Sequence, residues 1–391
     1  MTQRILVINA GSSSLKFSVF AADDQASPTL LVGGQIEGLG AVPRFRVSRA
    51  DGETLIDAPL TAGEDHAGAV RRINEWIEGD LGARKIAVIG HRVVHGGTLF
   101  REPVIIDDDA MGALRSLIPL APLHQPHNLT AIDAMAAAFP GVIQVACFDT
   151  AFHRSQPWVA DTFALPRDYY ERGIRRYGFH GLSYEWIAHE LARCAPKLAA
   201  GRVVVAHLGN GASCAALEAG RGIASSMGFT ALDGLPMGSR SGQIDPGVLL
   251  HLLDEGGMTT AELADLLYKR SGLKGLSGIS HDLRDLLASG DEAAAQAIDY
   301  FTYRIRREVA SLAAALQGLD GLVFTAGIGE RAATIRADVC HGLAWLGVTL
   351  DDAANARHAP IISSPSSDVE VRVMPANEEK MIAQHALSIA G

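Results

Sequence analysis

The sequence predicts an α/β protein built from two related halves, and a repeat and an alternation of elements predict it. A strand-and-turn segment near the N-terminus, Arg4–Phe20 (RILVINAGSSSLKFSVF), recurs half a chain later as Arg202–Glu218 (RVVVAHLGNGASCAALE). Gly11 falls on Gly209, each after a β-branched run. Beyond each copy, helical patterns alternate with strand-like runs, as in an α/β unit. A repeat on this scale sets the architecture before any single element does. Both copies also close in a loop suited to phosphate, with Ser12, Ser13 and Ser14 in the first and Asn210, Gly211, Ala212 and Ser213 in the second. Small residues let backbone N–H groups approach an anion closely, and hydroxyls add donors.

In the first half, Ile5–Ile8, Leu15–Phe20, Leu30–Ile36 and Arg44–Val47 read as strands. Val70, Ile73, Trp76 and Ile77 then share one face of a helix. Ile86–Ile89 is the next strand, and it enters a glycine-flanked loop, G-H-R-V-V-H-G-G at Gly90–Gly97. Helices follow around Asp108–Ile118 and Pro126–Phe139, then the strand Val142–Cys147. In the second half the strands are Val203–Ala206 and Ala212–Leu217. Asp245 before Pro246 marks a helix start, an N-cap followed by proline at the first helical position. Thr259 with Glu262 has capping-box spacing. A long helix, Glu292–Gln317, stops at Gly318, and the strand Leu322–Thr325 enters a third glycine loop at Gly327–Glu330. His358–Asp368 is the least regular stretch; a strand, Val369–Met374, and a last helix, Asn377–Ile389, follow it. The expected domains are 1–149 and 150–376, with 377–391 packing back on the first.

At 391 residues the chain has room for two domains. A formal charge of −10 argues against general affinity for nucleic acid or anionic membranes, so any anionic substrate must be met by locally placed Arg and Lys. The four cysteines form no C-x-x-C and read as reduced, buried thiols of a cytosolic protein. The N-terminal apolar run Ile5–Ile8 is far short of a signal sequence, and nothing approaches the ~20 apolar residues of a membrane span. A cytoplasmic location is expected.

The third glycine loop has a rival reading. Gly327-Ile-Gly329-Glu-Arg-Ala332 fits G-x-G-x-x-A, with Asp351 about 20 residues on, the fingerprint of a dinucleotide site. Too little chain follows for the remaining strands and helices of such a domain, and a dehydrogenase has no use for three phosphate-type loops. A kinase has: two for phosphates and one for adenosine. The P-loop pattern G-x-x-x-x-G-K-[ST] is absent, yet Lys16 follows the serine loop closely enough to reach a β- or γ-phosphate.

Eight motifs then stand in order: Ile8–Lys16 (INAGSSSLK), Gly90–Gly97, Phe148–His153 (FDTAFH), Tyr177–Gly181 (YGFHG), His207–Gly211 (HLGNG), Gly238–Gly242 (GSRSG), Gly327–Glu330 (GIGE) and Asn377–Glu379 (NEE). In this order the chain resembles the acetate kinase family from end to end. The resemblance implies the sugar-kinase/actin/heat-shock-ATPase fold: duplicated ribonuclease-H-like, actin-type ATPase domains with a nucleotide cleft between them, as a homodimer. It implies ATP and acetate as substrates, acetyl phosphate and ADP as products, and Mg2+ as the metal, with Mn2+ as a substitute. It implies that Asn9 and Glu378 hold the metal and that Lys16 touches ATP. His207, Leu208, Gly209, Asn210 and Gly211 would line the nucleotide, with Asp282, Leu283 and Arg284, and Gly327, Ile328, Gly329, Glu330 and Arg331. Arg92 would bind the acyl substrate, Asp149 would be the active-site carboxylate, and His180 and Arg240 would stabilise the transition state. Arg331 stands where the family more often has Asn, Ser239 where it often has Thr, and Ala231 where many members carry Pro beside the acyl pocket; His281 precedes the Asp282–Arg284 segment.

The chemistry fits those residue types. A carboxylate nucleophile has a pKa near ~4–5, is already ionised at neutral pH and needs no general base. Asp149 therefore reads as a group that positions Mg2+ through water or orients Arg92. Phosphoryl transfer relies on positioning and on stabilising charge spread over the equatorial oxygens, a task for planar guanidinium forks. Val94, Leu123 and Phe179 sit beside Arg92, His124 and His180 in sequence and are the candidate walls of a small acyl pocket. His95, His124, His127 and His153 show no zinc-ligand spacing, whereas Mg2+ takes oxygen ligands from one or two carboxylates and phosphates. Three alternatives stay open: a propionate or other short-chain acyl kinase, a non-metabolic actin-fold ATPase acting as chaperone or filament protein, and the dehydrogenase.

Overall fold

The structure, a computed structural model, describes residues 3–11, 14–22, 27–81 and 86–390. Ser12 and Ser13 of the first phosphate loop lie outside the described residues. The described chain forms two compact units, one within Met1–Phe152 together with Asn377–Gly391, the other His153–Ala376.

In the first unit, β1 (Gln3–Ala10) and β2 (Ser14–Ala22) form an antiparallel hairpin that sets Asn9 opposite Lys16. β3 (Thr29–Glu37), β4 (Arg44–Arg49) and β5 (Thr54–Pro59) continue it antiparallel on one side. On the other side β6 (Ile86–Val93) runs parallel to β1, β8 (Ile143–Phe148) runs parallel to β6, and the short β7 (Val104–Ile105) closes the edge. One core joins Leu6, Ile8, Phe17 and Val19 of the sheet to Ile73 and Trp76 of the helix His66–Trp76 and Met135 of the helix Gln125–Ala138. The Phe17 and Trp76 rings lie 5.8 Å apart. Each such side chain contributes about 1.5–3 kcal/mol by leaving water. The C-terminal helix, Glu378–Ala390, packs on β1, β6 and β8. Gly90 permits this approach, since a Cβ there would fall 2.5 Å from Ile382.

The second unit holds β9 (Arg202–Leu208), β10 (Ala212–Glu218), β11 (Arg221–Ser225), β12 (Gly321–Thr325) and β13 (Glu370–Val373) in the order β11-β10-β9-β12-β13. Both steps from β11 to β9 are antiparallel, and both steps from β9 to β13 are parallel. The run β3-β2-β1-β6-β8 of the first unit has the same succession of pairings. In each hairpin the glycine after the first strand donates its N–H across the turn, Gly11 to Ser14 O three residues on and Gly209 to Gly211 O two residues on. The duplication expected from the two sequence repeats is therefore a duplication of topology. The long helix Glu292–Ala315 buries Ala294, Ala297, Phe301, Ile305, Val309 and Leu312, a stripe at helical spacing that packs on β9, β10 and β11. Its neighbours begin as expected: Asp245 accepts from Gly247 N–H, and both halves of the Thr259–Glu262 capping box are formed.

Several expectations are corrected. Arg92 lies on β6, which continues to Val93, so it is a strand residue and not a loop residue. Gly327–Glu330 is not a loop either, because the helix Ala326–Arg331 starts directly after β12. Asp351, the supposed ribose ligand of the dinucleotide reading, caps the helix Asp352–Ala356 by accepting from Ala354 N–H. Cys194 is exposed, unlike the other three cysteines. No helix among the described residues is long and apolar enough to cross a membrane.

Candidate active site

In the first unit the chemistry gathers at the C-terminal ends of β1, β6 and β8, where open α/β sheets bind ligands. Arg92 donates from Nε and Nη2 to the two carboxylate oxygens of Asp149 at 3.0 and 2.6 Å, a two-pronged pair. Its Nη1 donates to Asn9 Oδ1 at 3.2 Å, and Glu378 Oε2 stands 3.6 Å from Nε. Asp149 follows β8 and is itself anchored by its N–H on Val93 O. Asp149 is 1% exposed, while the Arg92 side chain keeps 22%. Three of the guanidinium's five N–H bonds are thus engaged, which leaves two for an incoming anion.

Electrostatics follow from that packing. Burial works against the Arg92 charge, but Asp149 and Glu378 outweigh it and hold the guanidinium above its ordinary value. Burial pushes the Glu378 carboxyl up to about 7; Arg92 opposes the shift and Asp149 and Glu379 add to it. Two carboxylates and the Asn9 amide oxygen meet one guanidinium, an all-oxygen set with surplus negative charge that suits a hard divalent cation. Lys16 is exposed on β2. Of the expected acyl walls, Val94 is buried just beyond β6, whereas Leu123 is 42% exposed. Phe179 belongs to the second unit, is buried, and accepts at its carbonyl from His153 Nε2.

The second unit contains a cavity of about 420 Å³ lined by Gly209, Asn210, Asp282, Leu283, Arg284, Gly327, Ile328 and Arg331, all expected nucleotide residues. His281, Leu287 and Ala332 line it as well. Asp282 caps its helix by accepting from Arg284 N–H, and its hydrogen bonds from the Arg284 side chain pull its carboxyl down to about 2. Five expected residues do not line the cavity. Leu208 is core, Gly329 packs under Phe324, and Glu330 accepts from Ala376 N–H. His207 and Gly211 lie instead beside His180. The buried Arg336, which carries no motif, donates to Gly329 O and Glu330 O and so supports the helix that floors the cavity.

His180 adopts φ 57 at the start of the helix Gly181–Cys194, a left-handed conformation that costs a non-glycine residue about 1–2 kcal/mol. Its ring stacks on His207 at 4.2 Å, Nδ1 lies 2.8 Å from Ser213 Oγ, and Nε2 faces Gly211. Ser213 also meets the Tyr184 hydroxyl, so the second hairpin orients His180 through its own side chain. Arg240 sits in a loop whose Gly238 presses on Asn210: a Cβ there would fall 2.3 Å from Asn210 Oδ1. Arg240 Nη1 donates to Ala231 O at 3.0 Å.

Duplicated ribonuclease-H-like units, a nucleotide-sized cavity on one and a carboxylate-held guanidinium on the other define the class: an ATP-dependent phosphotransferase. Comparison with known proteins agrees. The model of the acetokinase family matches residues 4–384. An acetate kinase of Nitrobacter hamburgensis is 54% identical over 387 residues, 98% of this chain and 96% of that protein. An acetate kinase of Rhizobium meliloti is 48% identical over 98% of each. Among solved structures, a propionate kinase from Francisella tularensis superposes with TM-score 0.93 at 36% identity, over 99% of this chain and 100% of that one. Porphyromonas gingivalis acetate kinase gives TM-score 0.89 at 36% identity, covering 100% of both. The chain belongs to the acetokinase family.

Proposed function

We propose that the protein transfers the γ-phosphoryl group of ATP to acetate, reversibly and by direct in-line attack. An acetate oxygen forms the new bond to γ-phosphorus, the bond to the β,γ-bridging oxygen breaks, and ADP departs with that oxygen. No proton moves, because the acceptor is already ionised. The observation that carries this reading is the Arg92 guanidinium, locked by Asp149 and Asn9 with two N–H bonds left for an anion. In the proposal those bonds take the acetate carboxylate, and Val94 flanks its methyl group. Arg240 and His180 stabilise charge on the transferring phosphoryl group, and the second unit's cavity takes the adenosine. Lys16 meets the outer phosphates.

Asn9, Glu378 and Asp149 would hold Mg2+, which when bound neutralises phosphate charge; Mn2+ would be a substitute. A homodimeric state and a cytoplasmic location belong to the same proposal. Ala231, and the likeness to the Francisella propionate kinase, favour propionate as a second acceptor. The test is to trap acyl phosphate as hydroxamate with ATP and each short acid in turn. Acetate should give product, and ATP turnover without hydroxamate from any acid would overturn the reading.

A further inference from the structure

The motif L-H-Q-P-H-N at Leu123–Asn128 is left without a task by the reaction itself. Its residues form the turn into the helix Gln125–Ala138, and its buried amides face the site strands. The parallel ladder between β1 and β6 ends with Ile8 opposite His91. Beyond that point the Asn128 side chain takes over. Its Nδ2 donates to Ala10 O at 2.7 Å, and its Oδ1 accepts from Val94 N–H at 3.0 Å. One side-chain amide thus stands in for a peptide group between strands that carry Asn9 and Arg92 one and two residues away.

Neighbours on the same turn repeat the device. Gln125 accepts from His95 N–H and donates to His95 O. His127 stacks on His66, whose Nε2 reaches Gly11 O at 2.6 Å. The turn therefore grips the chain on both sides of the gap, at residues 10–11 and 94–95.

We propose that Asn128 is a positioning residue for phosphoryl transfer: it sets the spacing of the β1 and β6 ends and, through them, of Asn9 and Arg92. The proposal rests on the phosphotransfer reading above. Both hydrogen bonds need a particular end of the amide, so a carboxylate is a poor replacement. An ionised carboxylate accepts from Val94 N–H but repels Ala10 O; a protonated carboxyl supplies both an acceptor and a donor. Burial beside a carbonyl also raises the pKa of an introduced carboxyl, bringing its titration towards neutrality.

The test compares wild type, Asn128→Asp, Asn128→Ala and Asn128→Ser from pH 6 to pH 8 by hydroxamate assay, with thermal melting of each. At pH 8, Asn128→Asp and Asn128→Ala should lose about tenfold to a hundredfold in kcat, as displaced reacting groups do. KM for ATP should change less than kcat, because the residues that line the adenosine cavity belong to the other unit. On acidification Asn128→Asp should regain activity relative to wild type, whereas Asn128→Ala should not. Titration of His66, His95, His127 and the Arg92–Asp149–Glu378 cluster is common to all variants and cancels in that ratio. Folded variants with kcat near wild type overturn the proposal, as does an Asn128→Asp loss that acid never repairs. If all three variants are unfolded at every pH, Asn128 determines the fold and the positioning role falls. If wild type itself makes no acyl phosphate, the functional reading fails first and takes this proposal with it.

Discussion

Replacing Arg92 with alanine strikes stability and chemistry together, and the structure separates the two. The change removes three hydrogen bonds and leaves Asp149, 1% exposed, and Glu378 facing each other without their cation. Removing one partner of a buried ion pair costs about 3–5 kcal/mol. In a unit of this size each kcal/mol moves Tm by about 2–4 °C, so Arg92→Ala should melt about 6–20 °C below wild type. The turnover loss is a different quantity. A guanidinium contact realised in the transition state is worth a few kcal/mol, so kcat should fall about a hundredfold or more. Adding Asp149→Asn and Glu378→Gln removes the orphaned charges and should recover much of the melting temperature with none of the activity. Arg92→Lys should keep most of the stability and little of the activity, because an ammonium cannot fork onto two oxygens. Thermal melts and the hydroxamate assay at saturating ATP measure both. An Arg92→Ala protein that melts with wild type refutes the buried pair, and one with near-wild-type kcat removes Arg92 from the mechanism.

Other perturbations follow from the same geometry. Arg240→Ala should lower kcat about a hundredfold; unchanged turnover would exclude it from the reaction. Ala231→Pro should shift kcat/KM from propionate towards acetate, by no more than the ~10–200-fold that one methylene supplies, and an unchanged ratio would mean that residue 231 does not set the pocket's depth. Burial depresses His91 and His153 from 6.5 to about 4, against hydrogen bonds to Gln144 and Phe179 O. The unfolded chain takes these protons first. Their stabilisation is therefore complete above pH 6.5 and declines as pH falls towards 4, by up to about 3 kcal/mol per histidine. His91→Gln should flatten that decline in urea midpoints taken at pH 7 and 4.5, and an unaltered slope would show that His91 is not buried neutral.

Wherever neighbouring residues carry the information, the sequence alone determined the outcome. Asp245 with Pro246 and Thr259 with Glu262 start their helices through hydrogen bonds spanning two or three residues. The apolar stripe of Glu292–Ala315 and the two glycine hairpins are equally local, and the repeat of the hairpins foretold the repeat of topology. The strands β5, β7 and β11 went unseen because they are short or weakly patterned and owe their place to a partner strand. The site divides the same way. Arg92, Asp149 and Glu378 stood out as candidates by residue type within motifs. That they meet was not legible, because 57 residues separate the first two, and the third arrives on a C-terminal helix admitted by Gly90. Glycines at 327 and 329 looked like a loop, yet they form a helix whose carbonyls a buried Arg336 satisfies. Hydrogen bonds between distant segments exist only once the sheets have formed, and for that reason the tertiary structure alone decided the roles of Asn128, Glu330 and Arg336.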